Sequence, residues 1–152
     1  MVELRSRVLM TLNIELGDSY VIGVTPSGRR RVDMVAGGRF QGPRLRGVVL
    51  AGGNDCLLER ADGSVRPDVR LVLRTDEGED SLMTYEGIRH GAPEVMRRLA
   101  AGEPVSDSEY YLRTTARFET ASARLAWLNK VVAVGVGKRL AKGAEYTIFE
   151  IL

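Results

Sequence analysis

Hydrophobic and polar residues alternate along most of this chain with a period of two. In the first alternating stretch the positions Val8, Met10, Leu12, Ile14 and Leu16 share one side. Successive side chains of a β-strand point to opposite faces, so this pattern predicts a long amphipathic strand. The same reasoning predicts eight further strands, which are Arg31–Ala36, Leu45–Leu50, Cys56–Arg60, Val69–Thr75, Ser81–Tyr85, Tyr110–Thr115, Trp127–Val136 and Glu145–Leu152.

Turn-forming residues separate these strands, and Asp62-Gly63 is the clearest hairpin turn among them. Strands at short spacing are typical of an antiparallel barrel or sandwich, and the 17 glycines suit the bends of a curved sheet. One segment, Ala92–Gly102, breaks the alternation and has Pro93 and Glu94 where a helix begins. We therefore expect a mainly all-β fold, an antiparallel β-barrel of about nine strands with one short helix capping an end.

Size and composition indicate one domain, which we expect to span residues 1–152. The net charge of +2 gives no support for a nucleic-acid partner. The longest apolar run, Val131–Val136, is too short to cross a bilayer, and the first ten residues lack the apolar region of a secretory signal. The single cysteine, Cys56, excludes an internal disulfide. We expect a cytoplasmic protein with no membrane partner.

Cofactor motifs fit the chain poorly. The stretch Gly135–Leu140 begins like a dinucleotide fingerprint but lacks its last glycine, and Arg139 stands where a phosphate-binding loop needs serine or threonine. A zinc site needs three or four nitrogen or sulfur ligands, and the chain offers only His90 and Cys56. We expect neither a cofactor nor a metal.

The segment Tyr110–Asn129 is the best candidate for function because it concentrates aromatic, basic and acidic side chains. Such groups are costly inside a barrel unless they are paired, and they are also what a small-molecule site needs. The candidate catalytic residues are Glu119, Asp55 and Tyr111, and the candidate substrate-binding residues are Arg113, Arg70, Trp127 and Asn129.

Each candidate has a role that its chemistry suggests. Glu119 or Asp55 would move a proton, and burial would raise the pKa of such a carboxyl towards working pH. Arg113 or Arg70 would bind an anionic oxygen, Tyr111 would donate a hydrogen bond, and Trp127 and Asn129 would line the pocket. The alternative is a structural arginine–glutamate pair with a tryptophan in the core, because alternation alone does not say which strand face lines the interior.

Several separated motifs resemble those of the family called domain of unknown function 3237, also known as uncharacterised protein family 0311. They are Gly37–Gly47, Gly52–Asp55, Arg70–Asp76, Tyr110–Thr114, Phe118–Thr120 and Trp127–Asn129. The resemblance covers the whole chain and implies a single β-barrel-like domain. It implies no particular activity.

Three functions remain open at this point. The first is a cofactor-free lyase, isomerase or cyclase acting on a small organic acid, phenolic or polyketide-like substrate. The second is a lipocalin-like carrier that binds a small molecule without changing it. The third is a homo-oligomer that assembles through exposed strands.

Overall fold

The computed structural model describes residues 1–152 and contains a single closed antiparallel sheet. The ten strands are β1 (Ser6–Thr25), β2 (Gly28–Gln41), β3 (Arg46–Val49), β4 (Asn54–Glu59), β5 (Val65–Arg66), β6 (Asp68–Thr75), β7 (Asp80–Gly91), β8 (Tyr110–Thr120), β9 (Ala133–Leu140) and β10 (Gly143–Ile151). β1 pairs with both β2 and β10, so the sheet closes into a barrel. The prediction of an antiparallel barrel with about nine strands is confirmed.

The predicted helix is also present, as α1 (Pro93–Ala100). It begins with proline, carries Glu94 in its first turn and has Arg97 and Arg98 in its last, as the helix dipole favours. Leu99 is buried against the end of the barrel. No helix is long and apolar enough to cross a membrane.

One predicted strand has the wrong bounds. Where the alternation predicts Trp127–Val136, a 3₁₀ turn covers Ala126–Lys130, and β9 begins only at Ala133. Leu125 and Leu128 are both fully buried, and their spacing of three residues is the period of a 3₁₀ turn. The turn therefore buries its apolar side chains better than an extended strand would.

The interior of the barrel has two halves of different character. The half away from α1 is apolar and closely packed. Its fully buried side chains include Leu9, Met10, Leu12, Leu71, Leu73, Met83, Leu125, Leu128 and Ile148. The half beneath α1 contains charged and hydroxyl-bearing side chains, which are described below. The apolar half supplies a hydrophobic core, so the other half is available for a site.

The first hairpin extends beyond the barrel. β1 pairs with β10 only as far as Glu15, and from Ser19 onwards it pairs with β2 alone. Tyr20, Val21, Ile22 and Val24 lie on this ribbon and are all more than half exposed. A free strand edge of this kind is open to pairing with another strand, which is what assembly into a homo-oligomer would require.

Candidate functional site

A cavity of about 620 Å³ opens at the end of the barrel that α1 covers. Its wall is formed by side chains from five strands and the helix, which include Arg31, Leu57, Arg89, Arg139, Met96 and Leu99. This volume is within the range of small-molecule pockets. Three inward arginines and the exposed Arg97 of α1, together with leucine and methionine, give the wall both charged and apolar surface.

A second group of polar side chains lies deeper, on the same inward strand faces. Asp33 is two residues from Arg31 along β2, and Asp55 is two residues from Leu57 along β4. The register confirms that these positions correspond, since Asp33 lies opposite Asp55 and Arg31 opposite Leu57. Two carboxylates therefore face each other across a strand pair, directly below the cavity wall.

The surroundings of these two carboxylates differ. Asp33 accepts two hydrogen bonds from the Arg31 guanidinium, at 2.9 and 3.0 Å, and a third from the Ser19 hydroxyl. Asp55 accepts one, from the Asp68 backbone N–H at 3.0 Å, and has no ion pair. Burial raises the pKa of Asp55 to about 6, and the nearby negative charge of Asp33 acts in the same direction. Asp55 therefore holds its proton to a higher pH than an ordinary aspartate does.

Two tyrosines lie beside this pair of carboxylates. The rings of Tyr85 and Tyr146 are 5.2 Å apart between centroids and inclined at 60°. Burial raises the pKa of Tyr146 to about 12, with a further contribution from the Asp55 carboxylate, and raises that of Tyr85 well above its usual value. Both phenols therefore remain protonated, and each keeps an O–H that can donate a hydrogen bond.

Glycines on β9 provide the space that Tyr146 occupies. A Cβ atom at Gly137 would overlap the Tyr146 ring and come within 2.8 Å of Leu112. A Cβ atom at Gly135 would overlap the Thr114 hydroxyl. Both glycines face inward, so their missing side chains allow the tyrosine to lie flat across the strand.

The two arginines on β7 and β9 have no partner. Neither Arg89 nor Arg139 forms an ion pair, and the Nε atom of Arg89 is buried without a hydrogen bond. Burial lowers the pKa of Arg89 to about 10, and the positive charge of Arg139 lowers it further. Positive charge without an ion-pair partner therefore faces the cavity, with the Asp55 carboxylate nearby.

The structure places only one of the seven sequence candidates inside the barrel, and that is Asp55. Tyr111, Arg113 and Glu119 lie on the outer face of β8, since the buried face consists of Tyr110, Leu112, Thr114, Ala116 and Phe118. Arg70 lies on the outer face of β6 and pairs with Asp68 at 3.7 Å. The hydrophobic side of each strand has turned inward, as burial of apolar area requires.

The outward residues of β8 make contacts of their own. Tyr111 stacks on His90 at 5.0 Å, and the Arg113 guanidinium lies 4.8 Å from the centre of the Tyr111 ring. Arg113 and Glu119 do not form an ion pair with each other, because the Arg113 side chain donates to the Leu112 carbonyl instead. The structure does not bring these residues to Asp55.

Trp127 and Asn129 lie at the opposite end of the barrel from the cavity. The Trp127 ring packs under the Arg44 guanidinium at 3.6 Å, and Arg44 also binds the Glu150 carboxylate at 2.6 Å. The Asn129 side-chain oxygen accepts a hydrogen bond from the Thr120 N–H, and the Asn129 side-chain NH₂ donates one to the Thr120 C=O. These two residues fasten the turn after β8 and do not line the cavity.

The Arg44→Met substitution tests this structural role. Because Arg44 combines a cation–π contact with a partly exposed ion pair to Glu150, its loss should lower the free energy of unfolding by about 1 kcal/mol. Urea denaturation measures the change, and Arg46→Met, which removes an exposed pair with Asp76, is the matched control. Equal effects of the two substitutions would contradict a specific contribution from the Trp127 contact.

Sequence reasoning missed most of the inward polar residues. The strand predicted at Ser81–Tyr85 ends too early and leaves Arg89 outside it, whereas β7 runs to Gly91. Tyr146 lies within a predicted strand and shares its face with apolar neighbours, which marks it as inward but not as polar in role. Arg139 enters the sequence reasoning only as part of a failed phosphate-loop motif. Arg89 stands at an even spacing from the inward Met83 and Tyr85, so extending that strand to Arg89 is the step that could have placed it inward.

This chain matches a family model and several known proteins. The family model described as protein of unknown function (DUF3237) matches residues 5–151. UPF0311 protein RPA1785 of Rhodopseudomonas palustris is 30% identical over 149 residues, which cover 98% of this chain and 97% of that protein. Its crystal structure matches with a TM-score of 0.96 over the full length of both chains.

Two further proteins extend the comparison. A β-barrel-like protein of Acinetobacter baumannii is 32% identical, and its crystal structure matches with a TM-score of 0.87 over 100% of this chain and 98% of that one. The hydroalkoxylation enzyme phnH of Penicillium herquei is 24% identical over 132 residues, which cover 87% of this chain and 73% of that enzyme. The chain therefore belongs to the DUF3237 family, the same family that its sequence motifs resemble.

Proposed function

We propose that this protein is a cofactor-free enzyme that transfers protons within a small organic substrate, in the manner of a lyase, an isomerase or a cyclase. The observation that carries the proposal is Asp55, an inward carboxyl with a pKa of about 6 and one hydrogen bond from the protein. A general acid or base works best when its pKa lies near the working pH. The carboxyl of Asp33 opposite is already occupied by Arg31.

The residues around Asp55 suit proton transfer at carbon. Taking a proton from carbon next to a carbonyl, or adding one to a C=C bond of a phenol, passes charge to or from an oxygen atom of the substrate. Neutral Tyr146 and Tyr85 hydroxyls can donate hydrogen bonds to that oxygen, and the positive charge of Arg89 and Arg139 stabilises it further. Asp55 would supply or accept the proton itself.

The phnH relative supports this type of chemistry. Hydroalkoxylation adds an O–H across a C=C bond, so one proton leaves an oxygen and one arrives at a carbon, with no oxidant or reductant required. A carboxyl that titrates near neutral pH is the group such a reaction needs. At 24% identity the relative supports the reaction type and does not specify the substrate.

Deuterium incorporation tests the proposal with a panel of probes in place of a defined substrate. The full chain is incubated in D₂O with aryl 2-oxo acids and unsaturated phenolic acids, and mass spectrometry follows deuterium bound to carbon. We expect exchange in at least one probe with the wild-type protein, a loss of that exchange with Asp55→Asn, and its retention with the outer-face substitution Glu119→Gln.

The carrier hypothesis predicts a different result. The unpartnered Arg89 side chain in the cavity would also suit a protein that holds a ligand without changing it. Probes that bind tightly and are recovered without deuterium at carbon would favour the carrier over the enzyme. Native mass spectrometry of the freshly purified protein provides the second readout, since a carrier would retain an unaltered ligand.

A further inference from the structure

We infer that Arg89 and Arg139 form a binding site for the carboxylate group of an organic-acid substrate, in the wall of the cavity above Asp55. The carboxylate would lie between the two guanidinium groups, and the rest of the substrate would extend towards the tyrosines and Asp55. The anion site is inferred from the arginines alone. The position given to the reacting part of the substrate rests on the proposed function.

No carboxylate of the protein forms an ion pair with either of these arginines. Arg31, the third inward arginine of the cavity, is paired with Asp33, whereas Arg89 and Arg139 have no ion pair. An inward guanidinium without a partner is costly, and two such groups near each other are more costly still. A fold that keeps both in one cavity gains stability when an anion enters between them.

The guanidinium of Arg89 has an unsatisfied donor. Its Nε atom is buried and has no hydrogen-bond partner. Buried donors are nearly always paired in folded proteins, so an unpaired one on a cavity wall points to a group that binds there. A carboxylate accepts two parallel hydrogen bonds from one guanidinium, which matches the donors that Arg89 offers.

The charge of the interior indicates how much charge a bound anion carries. The inward charged groups are three arginines and two aspartates, so their sum is one positive charge when all are ionised. Arg97, Glu59 and Asp62 lie on the exposed rim, where solvent screens them. A group with one negative charge balances this interior, which favours a carboxylate over a phosphate dianion.

Calorimetric titration of the full chain tests the inference with benzoate, its neutral analogue benzamide, and inorganic phosphate. Benzoate should bind at least about tenfold more tightly than benzamide, because hydrogen bonds to a charged group are stronger than those to a neutral one. Arg89→Met and Arg139→Met should each weaken benzoate binding by about ten- to a hundredfold. Arg113→Met, on the outer face, is the matched control and should leave it unchanged.

Specific outcomes would overturn the inference. They are equal binding of benzoate and benzamide, no benzoate binding, or unchanged benzoate binding in both inward arginine variants. Tighter binding of phosphate than of benzoate would overturn the carboxylate assignment. If Arg89→Met does not fold, Arg89→Lys keeps the charge but loses the two-pronged geometry, and should still bind benzoate more weakly.

The Asp55→Asn variant separates this inference from the proposed function. It should bind benzoate at least as tightly as the wild-type protein, because a negative charge near the arginines has been removed. If Asp55→Asn exchanges deuterium normally while benzoate still requires Arg89, the proposed function fails and the anion site stands. If deuterium exchange requires Asp55 but benzoate does not bind, the anion site fails and the proposed function stands.

Discussion

Replacing Asp55 with asparagine is expected to lower turnover by about 10²- to 10⁴-fold, the usual contribution of a general acid or base. Asparagine keeps the size of the side chain and can still accept the hydrogen bond from the Asp68 N–H, but it cannot exchange a proton near neutral pH. The measurement is the rate of deuterium incorporation into the best probe of the panel. The wild-type rate should change with pH around 6, and the variant should lose this dependence.

The same substitution is expected to stabilise the protein at neutral pH. The pKa of Asp55 rises from 3.8 to about 6 on folding, so the folded state holds its proton more tightly than the unfolded chain does. The stabilisation this gives is complete below the unfolded pKa and is lost as the pH rises through about 6. A shift of this size corresponds to about 3 kcal/mol.

Urea denaturation at pH 4.5 and pH 7.5 measures this effect. The difference in free energy of unfolding between Asp55→Asn and the wild-type protein should grow in favour of the variant from pH 4.5 to pH 7.5. Contributions from other titratable groups cancel in this difference. Asp80→Asn is the matched control, because Asp80 is an exposed carboxyl whose pKa is lowered by its ion pair with Arg74, so its loss should not stabilise at neutral pH. A constant difference across the pH range would contradict the burial of an ionisable Asp55.

Replacing Gly137 with alanine is expected to reduce both stability and turnover. The new methyl group would overlap the ring of Tyr146, which is buried between Tyr85 and the strands and has little room to move. Overpacking of this kind usually costs about 1–3 kcal/mol. Because the displaced ring carries the hydroxyl beside Asp55, activity should fall further than the loss of folded protein explains.

A double variant separates the two effects. Adding Tyr146→Leu to Gly137→Ala removes the ring carbons that the methyl group meets, so it should recover part of the stability and none of the turnover. Gly17→Ala, where a Cβ atom would come no closer than 3.5 Å to its neighbours, is the control for adding a methyl group to a strand glycine. A stable and active Gly137→Ala variant would contradict the packing described for Tyr146.

Much of the fold could be predicted from the sequence, because the alternation of apolar residues reports directly on burial. The helix at Pro93 and the strand through Met10 and Leu12 are both expected and present. The strand expected from Trp127 begins only at Ala133, because a run of apolar residues does not distinguish a period of two from a period of three when only two or three side chains are buried.

The site was harder to predict than the fold. A polar side chain that points into a cavity stands at the apolar positions of the alternation, so Arg89 can be told from the outward Arg113 only when the strand is extended past Tyr85. Glu119 and Asp55 look equivalent in the sequence because both are carboxylates near turns or strand ends. Only the register, which sets Asp55 opposite Asp33, separates the inward carboxyl from the outward one.

The division of the interior into an apolar and a polar half has a consequence for how relatives diverge. Residues that form the apolar core, such as Met10 and Leu73, are distinct from the polar residues that line the cavity, such as Arg89 and Arg139. Substitutions of those polar residues therefore remove little of the core that folding depends on. On the proposed function, a lineage with this barrel can exchange one substrate for another by changing a few side chains under the helix, while the residues of the apolar half stay unchanged.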